Sequence, residues 1–472
     1  MTRKWWVLSA VACGTFMATL DSSIVNIALP TLTKELSVDL EQVKWVVVIY
    51  LLVITCLVLP FGRLSDLKGR KLIFQLGYLI FTIGSAFCSI AGNLPWLVFF
   101  RAFQAIGASM LMANGPAIIT RAFLPRERGA ALGTLAMVVS AGLVSGPSLG
   151  GYAISHLGWR SIFWINIPIG ILGIMLVHFF VKSEFSTRVS FPFDWAGAII
   201  QSILLVGFLI LFDPPFVAIS GSRPFPVSRW VIAAFLVLLF VAFIKIEKEV
   251  KAPIFDLSLL KERTFWTANL ASFLTFVSYS SVSVLMPFFL EEVLQLPPKG
   301  AGLYMSAVPL TIFAVAPISG RLSDRFGSHG LSFAGALIGA LGLFVMSGSV
   351  GKGISELNKS YEIVLYLCTI GFAMGLFQSP NNAAIMGSVP LNKLGVASAL
   401  LATVRNLGLV TGTGLATALF SWRLTETGNF VTALHVTFFV AAWIGVAATI
   451  AALGKRGHPE EDKGFHQPSS RT

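Results

Sequence analysis

The sequence predicts an all-α polytopic membrane protein of fourteen spans, and three observations carry that reading. Apolar residues make up 55% of the 472-residue chain, and charged residues only 12%. Apolar runs of about twenty residues, enough helix to cross a bilayer, recur from end to end. The segment Gly62-Arg63-Leu64-Ser65-Asp66 returns as Gly320-Arg321-Leu322-Ser323-Asp324, which marks an internal duplication. A membrane barrel would show short alternating strands instead.

The first span lies near 5–29, too long for the apolar core of a cleavable signal, and is expected to stay in place. The next five lie near 42–61, 72–92, 96–120, 129–154 and 162–181. Two more, near 194–213 and 229–246, have no copy elsewhere and read as an inserted hairpin. The last six, near 265–290, 301–320, 330–350, 361–387, 396–420 and 431–453, repeat the first six. Pro30 and Pro287 precede the repeated pentapeptide at nearly equal distances, and Gly107 and Pro116 are spaced as Gly371 and Pro380 are. The expected organisation is a six-helix half over 1–181, a linker with the hairpin over 182–264, a second half over 265–453, and a tail over 454–472. Parallel six-span halves with a site between them are a transporter architecture.

An even span count puts both termini on one side, and the clustering of Lys and Arg makes that side cytoplasmic. The net charge of +12 is thereby a topology signal and not a sign of nucleic-acid binding. Cys13, Cys56, Cys88 and Cys368 all fall in apolar spans and read as small core residues, not disulfides or metal ligands. No nucleotide-binding loop is evident, so neither an enzyme nor an ATP-driven pump is expected. The expected partners are the lipid bilayer, protons and a small amphiphilic substrate; no cofactor is called for, and a monomer in the cytoplasmic membrane suffices.

Four motifs carry a family resemblance. They are Gly62-Arg63-Leu64-Ser65-Asp66-Leu67-Lys68-Gly69-Arg70-Lys71, then Arg101-Ala102-Phe103-Gln104-Ala105-Ile106-Gly107 in span four. The third is Gly142-x-x-x-Gly146-Pro147-x-x-Gly150-Gly151 in span five, and the fourth is Asp21-x-x-Ile24-Val25-Asn26-x-Ala28-Leu29-Pro30. Trp164-Ile165-Asn166-Ile167-Pro168 in span six fits with them. On these the chain resembles the major facilitator superfamily, and within it the fourteen-span drug:proton antiporters. The resemblance implies the major facilitator fold and proton-coupled multidrug efflux by alternating access. It also implies a cytoplasmic latch at Gly62, Asp66 and Arg70, repeated at Asp324, and a span-five contact between the halves that resists leak.

Asp21 is the one carboxylate expected well inside a span, roughly eight residues or ~12 Å from its outer end. An ionised group there costs on the order of 3 kcal/mol without a partner. Arg101 falls at a similar depth on span four, and Gln104 sits on the same helix face, three residues on. An Asp21–Arg101 pair that a proton opens would make a two-state element; a static pair that pins the helices is the plainer alternative. Neutralising Asp21 is expected to end proton coupling while stability holds or rises.

Gly142, Gly146 and Gly150 make one small-residue stripe suited to close helix packing, and Pro147 should kink the span. Gly62 and Gly69 are expected to make a tight turn, with Asp66 and Arg70 near enough to pair if helical. Arg405 stands near the middle of span thirteen with no acid in the corresponding half. It heads the cavity candidates Gln104, Tyr50, Asn114, Gln378, Asn381 and Asn382, and it favours an anionic or electronegative substrate over a dication. An exporter or flippase of lipids or lipid-linked molecules, a proton-coupled importer, and a non-transporting receptor are the competing readings.

Overall fold

Capping side chains and left-handed glycines punctuate a chain that is otherwise helix. The Asp39 side chain accepts from the Gln42 backbone N–H at 2.8 Å, Asn93 from Trp96 at 3.1 Å and Asn429 from Thr432 at 3.1 Å, each opening a helix. Gly69 and Gly327, at φ +98° and +81°, hold the sharp turns after the two copies of the repeated segment. The computed structural model describes residues 3–124, 127–182, 194–212, 229–250, 259, 261–351, 360–389 and 394–454.

The helices are α1 Arg3–Leu36, α2 Leu40–Val43, α3 Trp45–Lys68, α4 Arg70–Ser89, α5 Leu94–Ala122 and α6 Arg128–Leu157. There follow α7 Ser161–Trp164, α8 Asn166–Phe180, α9 Trp195–Phe212, α10 Arg229–Glu249 and α11 Arg263–Phe288. The last are α12 Pro298–Met305, α13 Ala307–Phe326, α14 Ser328–Gly351, α15 Ser360–Gly387, α16 Leu394–Thr427 and α17 Phe430–Leu453. Among the described residues, eleven helical segments are long and apolar enough to cross a membrane. Helices α9, α10 and α16 lie where spans seven, eight and thirteen are expected. Of the expected linker and tail, residues 183–193, 213–228, 251–258, 260 and 455–472 lie outside the described residues.

Among the described residues, four spans depart from simple helices, span two by an interruption at Lys44 between α2 and α3. Span six breaks at Ile165 between α7 and α8, and span ten breaks at Ser306 between α12 and α13. Span nine ends in a π-turn, Phe289–Val293. The first span corrects its predicted end: α1 runs on to Leu36 with Pro30 inside it. Proline removes one backbone bond without stopping a helix that is packed on every side. Asp21 therefore lies about 22 Å from the helix end and not ~12 Å.

Packing follows the duplication. Helix α1 packs on α5, α6 and α8, α4 on α5 and α8, and α3 on α5. Later in the chain α11 packs on α15, α16 and α17, α14 on α15 and α17, and α13 on α15, pair for pair. Helices α9 and α10 pack on each other, and α9 also on α3, where the Cys56 thiol donates to the Ser202 carbonyl at 3.9 Å. Side-chain hydrogen bonds among the described residues join the first group (α1–α8) to the last (α11–α17). Asn26 Nδ2 donates to Ser283 Oγ at 3.2 Å, the Ser148 and Ser306 hydroxyls hydrogen-bond to each other at 2.6 Å, and the Lys299 N–H donates to Ser155 Oγ at 3.0 Å. These three contacts lie toward the face opposite the described chain ends.

Two local expectations change. Gly62 is inside α3 and makes no turn; an added Cβ there would meet only Ala113, at 3.9 Å. Gly69 alone makes the turn, and it splits Asp66 on α3 from Arg70 on α4, so the two do not share one helix. Arg70 donates to the Ala117 carbonyl at 3.3 Å. The side chains of Asp66 and Asp324 lie outside the described residues.

The glycine stripe also moves. Gly142, Gly146 and Gly150 face α1 within the first group, not the other half, because a Cβ on each would strike Thr19, Ser23 or Ile24. At Gly146 that Cβ would sit 2.5 Å from Ser23 Oγ and 2.6 Å from Ser23 Cβ. Pro147 and Gly151, on the adjoining face, meet α12 at Gly302 and Pro298. Gly146→Leu is thus expected to cost about 1–3 kcal/mol by overpacking, read as a lower unfolding temperature in detergent. Gly151→Leu should instead part the two groups where α6 meets α12, read as new thiol labelling of a cysteine placed at Ser306.

Candidate functional site

Five helices deliver polar side chains to one sealed point in the first group. Asp21 on α1 is 0% exposed, Arg101 on α5 1%, and Gln104 one turn further along α5 0%. Arg101 donates to Asp21 Oδ2 at 2.5 Å. The other oxygen, Oδ1, accepts from Gln104 Nε2 at 2.9 Å and from Asn166 Nδ2 at 2.8 Å. Arg101 also donates to Gln104 Oε1 at 2.6 Å, and Gln104 Nε2 donates on to Ser85 Oγ of α4 at 2.7 Å. These contacts fix the glutamine amide in one orientation. Arg101 Nε reaches the Val46 carbonyl of α3 at 3.1 Å, and the guanidinium lies 4.0 Å from the Tyr50 ring centroid.

The chemistry of this arrangement follows from its donor count. Three N–H donors converge on the Asp21 carboxylate, which suits the ionised acid. A proton on Oδ2 would displace Arg101; one on Oδ1 would confront two amide donors. A proton on the carboxyl would thus compete with hydrogen bonds that hold α1, α5 and α8 together. The burial also shuts water out of the pair.

Asn166 and Ser85 were given no role in the sequence reading. Asn166 opens α8 just after the break at Ile165, with Pro168 in the first turn, where no N–H is needed. A lone amide beside a break in an apolar span is the signal that points to it. Glu291, in the π-turn, is a further buried acid, 6% exposed with Oε1 lacking a hydrogen bond among the described residues. By sequence it reads as a span-end residue, because a π-turn has no sequence period that reveals it.

The other candidates are spread apart. Tyr50 is buried beneath Arg101 and its hydroxyl donates to the Ala18 carbonyl at 3.4 Å. Asn114 is buried and donates to its own helix at Met110, 2.8 Å away. Asn381 is buried and donates to the Ala268 carbonyl of α11 at 3.1 Å. Gln378 and Asn382 are half-buried on α15. Arg405, on α16, is half-buried, and it has no hydrogen-bond or ion-pair partner among the described residues. In the last group, Ser278 stands near the position matching Asp21. It lines a cavity of about 30 Å³ with Thr275, Tyr279 and Leu343, and donates to the Ala441 carbonyl at 2.8 Å.

Comparison with known proteins agrees with this architecture. The sequence family described as Major Facilitator Superfamily matches residues 11–413 and 268–468. The riboflavin transporter RibZ of Clostridioides difficile (strain 630) is 36% identical over 96% of this chain and 99% of its own. The multidrug resistance protein Stp of Mycobacterium tuberculosis (strain ATCC 25618 / H37Rv) is 29% identical over 88% of this chain and 76% of its own. The crystal structure of a D-xylose–proton symporter superposes with a TM-score of 0.69 at 15% identity, covering 96% of this chain and 98% of that one.

Proposed function

Because the chain belongs to the major facilitator superfamily and is a membrane transporter, not an enzyme, we propose that it exports amphiphilic small molecules across the cytoplasmic membrane in exchange for protons. The observation that carries this reading is the sealed Asp21–Arg101 pair, an ionisable couple at membrane depth whose geometry a proton must break. In this reading the protein has fourteen spans and cytoplasmic termini, and the two six-helix halves rock about the site between them. In the same reading, the arrangement with the contacts between the two groups made and the Asp21–Arg101 pair intact is the state closed to the outside. Protonation from the outside follows when the outer contacts part, and it releases Arg101.

Among the relatives, the 36% match favours a flavin-like substrate. Riboflavin is itself an amphiphile, with a flat ring system and a polyol chain. One experiment separates the possibilities. Purified protein is reconstituted in proteoliposomes, a pH gradient is imposed, and fluxes of riboflavin and of neutral and cationic drugs are followed. Accumulation against the direction of proton flow is the expected result. Accumulation with the protons would make the protein a symporter, and flux indifferent to the gradient would end the coupling proposal.

A further inference from the structure

A second cavity, of about 370 Å³, opens on the face that carries the described chain ends, between the ends of α1, α4, α5 and α8. Its wall brings together Arg3, Lys4, Arg70, Lys71, Arg121 and Lys182 over a floor that includes Val7 and Ile118. Lys4 pairs with Glu127 at 2.7 Å. Arg3 Nε donates to the Phe180 carbonyl at 3.1 Å and Lys71 Nζ to the His178 carbonyl at 2.8 Å, while Lys182 has no described partner. Arg3, Lys71 and Lys182 thus reach the cavity with no carboxylate partner among the described residues.

A topology signal alone would scatter such charges along the loops. Here four separate helix ends aim them at one concavity, and backbone carbonyls hold two of them in place. The geometry points to a binding site for a phosphate group, supplied either by the headgroup of an anionic phospholipid or by free phosphate. Basic pockets between membrane helices at the lipid interface take such headgroups. The apolar floor and the neighbouring stacked pair Trp6 and Phe180, 4.8 Å between centroids, would sit against acyl chains. This site is separate from the Asp21 cluster and does not depend on what the protein transports.

The test uses the full chain in nanodiscs of phosphatidylcholine, with or without phosphatidylglycerol, and in neutral detergent with inorganic phosphate. The unfolding temperature and the phosphatidylglycerol retained in native mass spectra are measured. Wild-type protein should be stabilised by phosphatidylglycerol. Retention should fall roughly 100-fold in Arg3→Gln/Lys71→Gln/Lys182→Gln, about a factor of five per charge. Lys261→Gln, an exposed cation on the same face, should retain lipid as wild type does. If inorganic phosphate stabilises equally and displaces the lipid, free phosphate is the ligand; if it does neither, the lipid is. Equal stability of wild type with and without phosphatidylglycerol and phosphate overturns the site, even should the triple variant fail to fold. An equal loss in Lys261→Gln overturns it too, since general surface charge would then suffice.

Discussion

Asp21→Asn is expected to abolish proton-driven transport and also to destabilise the protein. The first outcome follows from removing the titrating group. The second reverses the expectation from sequence, which counted only the relief of burying an acid. Arg101 is itself 1% exposed, and Asp21 Oδ2 is its one carboxylate contact. Losing one partner of a buried pair leaves the other charge uncompensated, at a cost of about 3–5 kcal/mol. The new amide would also present N–H groups to the donors of Gln104 and Asn166. Asp21→Asn/Arg101→Gln removes both charges and should regain most of the lost unfolding temperature without regaining coupling. Transport under a pH gradient and thermal unfolding, measured on the same preparations, check both arms. A single variant that keeps gradient-driven transport would exclude Asp21 as the proton carrier. One that transports nothing and unfolds at the wild-type temperature would show that Arg101 finds another partner.

The pair was legible because two rare events coincide in the sequence. A charge inside an apolar run is expensive, and two of opposite sign at similar depth leave little choice of partner. Asn166 and Ser85 escaped because uncharged polar residues are ordinary in membrane helices. Their role depends on how α4 and α8 rotate against α1, and no local pattern records that. The glycine stripe failed for a related reason. Its period shows that one face of α6 is bare, but not which neighbour covers it; only a three-dimensional arrangement separates Gly146 against Ser23 from Gly151 against Pro298. Helix α1 outruns the expected 5–29 because a proline inside a packed span is tolerated and Pro30 does not end the helix. The repeat was fully readable, since duplicated segments at matching distances need no tertiary information.

The remaining large effect concerns Arg405. Asp21 is already satisfied by three donors, so it is not available to balance a charge on another helix. Arg405 lies about 17 Å along α16 from Leu394, half-buried and with no partner among the described residues. An unpaired guanidinium at membrane depth is costly, and a ligand that brings a carboxylate, a phosphate or paired carbonyl oxygens offsets that cost through parallel hydrogen bonds. Arg405→Lys, which keeps the charge but loses the planar fork, is expected to weaken substrate binding roughly 10-fold. Arg405→Ala should weaken it roughly 100-fold, the range for hydrogen bonds to a charged group. Stability should move the other way from Asp21→Asn, because Arg405→Ala removes an uncompensated charge and should raise the unfolding temperature. Fluorescence titration with riboflavin and with paired anionic and cationic analogues of similar size measures the first effect. If Arg405→Ala binds both series as tightly as the parent does, the arginine is structural and the preference for cationic drugs expected of the wider antiporter family is restored.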